Sequence, residues 1–366
     1  MDQRVDLNIP SRENNAMLAE IQHAINRVIA SGRYILGREC EAFEKEFAAY
    51  CGARQCVGLA NGTDAIELSL RAIGVDENCR IATVANAGSY ATTAILLIGA
   101  EPVYVDIVRE TGLVDIAHLT RILSEVRIDA VVVTHLFGRM ADVGKIVALC
   151  SAVNVPVIED CAQAHGARRG GQVAGTFGVT GCFSFYPTKN LGCLGDGGCV
   201  ITSDSSLAAK LRSLRQYGWS EKYRIVRAGG RNSRLDELQA AVLRTKLPYL
   251  DQRNARRREI AARYVGGISN PSVICPPTGS EENVVHLYVV RSANRDLLRQ
   301  RLSAAGIGTD IHYPAPDYRQ APVANLKSWS ELPETEAFIA SILTLPCFPE
   351  MSGDEAQAVI DSINRG

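Results

Sequence analysis

A lysine and an aspartate carry the chemistry that is easiest to read in this chain. Lys189 stands in Phe183-Ser184-Phe185-Tyr186-Pro187-Thr188-Lys189-Asn190-Leu191-Gly192, and Asp160 in Glu159-Asp160-Cys161-Ala162-Gln163-Ala164-His165. A lysine amine condenses with a carbonyl to a Schiff base, and a carboxylate can keep a pyridine nitrogen protonated so that the ring withdraws electrons. The pair points to pyridoxal phosphate. Apolar residues before Lys189 predict a desolvated amine with a lowered pKa, available as the neutral nucleophile. Ser184 and Thr188 supply hydroxyls suited to phosphate oxygens, and the glycines from Gly192 to Gly198 let backbone approach a bound group.

Further residues could complete such a site. Gln55 to Ile66 reads as a strand, a tight glycine turn and a helix start, so the backbone N–H groups that the turn exposes form either a phosphate cradle or an ordinary β-to-α turn. Asp160 ends the apolar run Val155 to Ile158, where parallel strands open onto a ligand crevice; the competing reading is a helix N-cap. Tyr90 lies near another strand end and either covers a cofactor face or packs in the core. His312 and Tyr313 precede Pro314, which biases Tyr313 toward extended backbone and a fixed polar wall.

The elements that must hold these residues alternate. Strand-like runs at 56–59, 80–84, 102–105, 129–134, 156–158 and 198–202 are separated by helical stretches. Phe43, Phe47 and Tyr50 mark one helix face; Leu207, Leu211 and Leu214 mark another behind the N-cap Asp204. This predicts a mostly parallel mixed sheet with helices on both faces. A long helix through Leu235 to Gln239 is interrupted at Pro248 and resumes toward Tyr264. Strands at 284–291 and 309–313 around a helix at 295–305 then predict a smaller α+β domain, giving domains of 1–247 and 248–366.

Composition narrows the function. The 366 residues are 46% hydrophobic and 22% charged, enough for a sizeable core, and 39 Lys plus Arg nearly balance 40 Asp plus Glu. No one-signed field argues for nucleic acid or membrane, and the basic run Arg253, Arg256, Arg257, Arg258 reads as a solvated helix face. The stretch Met1 to Asp6 lacks an export pattern and Ala91 to Ala100 is too short to span a bilayer, so a cytoplasmic protein is expected. Eleven cysteines are then reduced thiols, and no Cys-x-x-Cys or histidine pattern marks a metal site.

Taken together, the chain resembles the DegT and StrS family of pyridoxal phosphate-dependent sugar aminotransferases. The resemblance rests on Ser31 to Gly37, Asn61-Gly62-Thr63-Asp64, Glu159 to Gly166, the Lys189 segment, Asn232 to Ala241 and Ile311-His312-Tyr313-Pro314. It implies the aspartate-aminotransferase fold (fold type I) and a homodimer with shared active sites. It further implies that Lys189 carries the cofactor, Asp160 meets the ring nitrogen, Gln163 contacts the ring and Tyr90 stacks on it. Gly62, Thr63, Ser184 and Asn232 of a second subunit hold the phosphate, while Tyr186, His312 and Tyr313 face the sugar.

The segment Leu214 to Tyr223 is most similar to members that aminate the 3-keto group of dTDP-linked 6-deoxyhexoses, which adds Tyr217 and Tyr223 as substrate contacts. L-glutamate is the implied amino donor. Alternatives within the resemblance are 4-keto or UDP-sugar amination, or a non-catalytic regulator; Lys189 argues against the dehydrating branch that has histidine there. Two stretches depart from the usual pattern: Glu77-Asn78-Cys79-Arg80, and Arg231, where an aromatic or small residue commonly precedes Asn232.

Overall fold

The computed structural model describes residues 4–326 and 329–365. The stretch read for an export signal begins at Met1, so its residues Met1, Asp2 and Gln3 lie outside the described residues. The six strand-like runs become β1 (Gln55–Leu59), β2 (Arg80–Val84), β3 (Glu101–Val105), β4 (Ala130–Thr134), β5 (Val157–Asp160) and β7 (Gly198–Thr202), and the apolar stretch before Lys189 adds β6 (Thr180–Ser184). They form one seven-stranded sheet in the order β1-β7-β6-β5-β4-β2-β3. Only β7 runs against the others, so the sheet is mixed but mostly parallel, as expected.

Side chains alternate across this sheet because successive Cβ atoms point to opposite faces. Cys182 and Val200 pack on one face with Leu59, Ile66 and Leu211. Phe183, Cys199 and Ile201 pack on the other with Phe43 and Phe47. Helix α1 (Arg38–Cys51) supplies the latter pair; α2 (Gly62–Ala72), α3 (Tyr90–Ile98) and α4 (Ser205–Leu214) cover the first face. Asp204 caps α4 through the N–H groups of Ser206 and Leu207, as its position predicted. Phe47 meets Phe183 and Phe185 edge-on at 5.0 and 5.4 Å, contacts worth about 1 kcal/mol each beyond burial.

Helix α5 (Glu237–Lys246) passes through a single tight turn at Pro248 into α6 (Leu250–Gly267). The exposed hairpin β8 (Trp219–Glu221) and β9 (Arg224–Ile225) precedes them. The C-terminal part pairs β10 (Tyr288–Arg291) with β11 (Ile342–Leu345) over a core that contains Tyr264, Phe348 and Val5. Three expectations need correction here. The 284–291 strand begins only at Tyr288, because Val285 is in the left-handed region and its N–H is capped by Asn283 Oδ1. The 309–313 segment makes a single bridge, Asp310 to Thr344, rather than a strand. The basic run is no solvated face: Arg257 is buried and donates to the Cys347 carbonyl at 2.6 Å, while Arg253 pairs with Glu13 and Glu350.

Candidate active site

The carboxyl ends of β1, β2, β4, β5 and β6 meet along one edge of the sheet, and a cleft of about 990 Å³ opens there. Its walls include Lys189, Asp160, Gly62, Thr63, Tyr90, Gln163, Ser184, Tyr186, His312 and Tyr313. Residues scattered over most of the chain are thus brought together, and Lys189 and Asp160 share one cavity. Thr188 lines it as well.

Lys189 sits in the turn after β6, with its N–H on the Tyr186 carbonyl at 2.9 Å. Among the described residues its Nζ has no hydrogen-bond or ion-pair partner. Burial lowers its pKa to about 8, against the opposing charge of Asp160. A fraction of neutral amine therefore exists near neutrality, as the apolar flank predicted. Asp160 ends β5 and is followed by a turn, so it is not an N-cap. Its Oδ1 accepts the Ala162 N–H at 3.1 Å and its Oδ2 the Thr134 hydroxyl at 3.3 Å. Burial pushes its pKa up, and these donors together with Lys189 and His135 pull the other way.

The phosphate end is built by close approach. A Cβ on Gly62 would lie 2.7 Å from the Ser184 Cβ, so glycine alone lets the first turn of α2 reach the end of β6. Asn61 caps this helix through the Asp64 N–H, which leaves the N–H groups of Gly62 and Thr63 facing the cleft at the positive end of the helix dipole. A half-buried amine with no hydrogen-bond partner among the described residues, a carboxylate in the same cleft and a cradle that a Cβ would fill match the donor set pyridoxal phosphate requires.

On the opposite wall, Gln163 accepts the Phe137 N–H at 2.6 Å and donates to the Tyr313 hydroxyl at 3.1 Å, fixing both side chains. Tyr313 meets Tyr90 edge-on at 6.0 Å. Tyr90 is half exposed at the start of α3, which excludes the core reading. His312 Nδ1 is 2.9 Å from Thr344 Oγ1, and burial lowers its pKa.

Three predicted residues lie elsewhere. Asn232 is exposed, and Tyr217 and Tyr223 flank Trp219 at the β8–β9 hairpin; none lines the cleft of its own chain. Sequence reading also passed over His286, Asp64, Asp196 and Asp310, which do line it. His286 is buried, and its state follows from its partner. Asn190 Nδ2 donates to the Val284 carbonyl at 3.0 Å and to Asn254, so Asn190 Oδ1 must accept from His286 Nδ1 at 3.0 Å. The proton is then on Nδ1, and burial keeps the ring neutral.

His135, Glu159 and Cys161 come close enough to suggest a metal centre. The Glu159 oxygens, however, already accept N–H groups from Gly175, Phe177 and Gly178 and pair with His135. His135 Nδ1 in turn accepts the Ala141 N–H, so the lone pairs of Glu159 and His135 are committed to a structural network next to Asp160. All eleven cysteines are free thiols, and no described helix is long and apolar enough to cross a membrane.

The sequence model of the DegT/DnrJ/EryC1/StrS aminotransferase family matches residues 15–364. A dTDP-3-amino-3,4,6-trideoxy-alpha-D-glucose transaminase from Micromonospora megalomicea subsp. nigra is 42% identical over 352 residues, 94% of each chain. The crystal structure of S. venezuelae DesV in complex with a ketimine intermediate superposes with a TM-score of 0.95 at 39% identity, covering 99% of this chain and 98% of that one. The structure of NtdA from Bacillus subtilis with bound cofactor PMP gives 0.91 at 26% identity, covering 99% and 85%.

Proposed function

Because the chain belongs to the DegT/DnrJ/EryC1/StrS aminotransferase family, we propose that it moves an amino group from L-glutamate to a nucleotide-linked keto-deoxysugar, using pyridoxal phosphate. The favoured acceptor is the 3-keto group of a dTDP-6-deoxyhexose, which the transaminase from Micromonospora and the Leu214 to Tyr223 segment support. The observation that carries this reading is the unpartnered Lys189 amine sharing one cleft with Asp160.

When bound, the cofactor supplies an aldehyde for amine exchange and a cationic ring that withdraws electrons from the reacting carbon. Each protein group then has a task. Asp160 holds a proton on the ring nitrogen by a charge-assisted hydrogen bond, and its desolvation strengthens that attraction. Gly62 and Thr63 N–H groups and the Ser184 hydroxyl bind the phosphate. Tyr90 covers one ring face, and Gln163 meets the ring while holding Tyr313 in place. Lys189 would hold the cofactor and, as a free amine, would serve as the base for proton transfer, work that its lowered pKa suits. Tyr186, His312 and Tyr313 orient the sugar.

Asn232, Tyr217 and Tyr223 reach the cleft of a second copy in this reading, which makes the working unit a homodimer. Their exposure in the single chain supports it. Residues 1–247 form the cofactor domain and 248–366 the small domain, with Val5 joining the core of the latter. Free thiols and a nucleotide-sugar substrate favour the cytoplasm. Assaying the purified protein with glutamate against 3-keto and 4-keto dTDP- and UDP-hexoses tests the assignment. Turnover is expected with the 3-keto dTDP sugar, and turnover confined to another acceptor would overturn it.

A further inference from the structure

Arg231 directly precedes Asn232, and the structure shows where its charge goes. Its guanidinium donates to Asp64 at 3.0 Å and to Glu67 at 2.5 Å, both on α2. Arg71 meets the same Glu67 oxygen at 2.8 Å. Glu67 is fully buried, and its second oxygen has no hydrogen-bond partner. Asp64 lines the cleft immediately after Gly62 and Thr63.

Two carboxylates in the first turns of a helix whose N-terminus receives a phosphate dianion are electrostatically opposed to that ligand. Their repulsion falls across a partly desolvated site, where charges interact far more strongly than in water. Arg231 pairs with both carboxylates and shares Glu67 with Arg71, so it is the group that offsets Asp64. The Arg231 backbone is also tied down, its N–H on the Leu214 carbonyl at 2.9 Å and its carbonyl on the Tyr217 N–H at 3.0 Å. The same side chain therefore links the helix that faces this chain's cleft to the exposed segment that carries Asn232.

We propose that Arg231 is a positioning residue for cofactor binding: it neutralises Asp64 and Glu67 so that the start of α2 accepts a phosphate dianion, and it anchors the Asn232 segment to that helix. The inference rests on the assignment of Gly62, Thr63 and Ser184 to the phosphate. It makes a demand that simple structural support does not, since the effect must follow the phosphate and not the ring.

Equilibrium binding of pyridoxal phosphate, pyridoxal and inorganic phosphate to the cofactor-free protein separates the cases. Arg231→Met weakens both phosphate-bearing probes by about tenfold or more, leaves pyridoxal within about twofold, and regains most of the loss when Asp64→Asn is added. Equal weakening of pyridoxal and pyridoxal phosphate, or no change in either, overturns the proposal. Should Arg231→Met fail to fold, Asp64→Asn with Arg231 intact must tighten inorganic phosphate, and unchanged affinity there overturns it as well. If the unaltered protein binds no pyridoxal phosphate, the cofactor assignment itself has failed, which is a distinguishable result.

Discussion

At the scale of single residues, the account turns on how burial sets protonation. Folding lowers the Lys189 pKa from 10.5 to about 8. Between those values the unfolded chain binds more protons than the folded one, so this group makes the protein more stable as pH rises from about 8 toward 10.5. The neutral fraction governs reactivity. Capture of pyridoxal phosphate by the cofactor-free protein, followed by stopped flow, should quicken about tenfold per pH unit below pH 8 and level off above it; a flat profile from pH 6 to 8 would contradict the assignment. His286→Ala leaves Asn190 Oδ1 unsatisfied beside Lys189 and should cost about 1–3 kcal/mol in chemical denaturation. Lys189 and Asp160 were legible because each stands in a run whose chemistry is local. His286 was not, since its role depends on Asn190 and Asn254, which approach it only through the fold.

At the scale of elements, α3 shows how the C-terminal part secures a helix in the sheet domain. Ser89 makes no side-chain cap of its own. Asp317 accepts the Ser89 N–H at 3.0 Å and the Thr92 hydroxyl at 2.7 Å instead, holding the turn from which Tyr90 projects. Asp317→Ala should destabilise by about 1 kcal/mol, as loss of a cap does, and raise the KM for the sugar by displacing Tyr90 and Tyr313. Burial raises the Asp317 pKa to about 6. The folded chain then holds this proton longer than the unfolded one, so the contribution is complete below about pH 4 and is lost as pH rises through 6. Asp317→Asn should flatten that part of the stability profile, and an unaltered slope would count against the buried cap. Strand positions were readable from β-branched runs, whereas 309–313 misled because its alternation serves a cleft wall with one bridge. Arg257 misled in the same way, its buried carbonyl partners being remote in sequence.

At the scale of the whole molecule, parallel strands collect their carboxyl ends at one edge, and the resemblance of motifs along the chain foretold that architecture. What one chain does not contain is also informative. Asn232, Tyr217 and Tyr223 do not line their own cleft; if a second copy uses them, Asn232→Ala should weaken cofactor retention about tenfold without altering solubility, measured by dialysis and absorbance, and unchanged retention would argue against a shared site. If a single amine carries the cofactor, borohydride reduction of the reconstituted protein followed by peptide mapping will reveal it. One labelled peptide containing Lys189 is expected, with no label in Lys189→Ala. Label on Lys246, or spread over surface lysines, would contradict it.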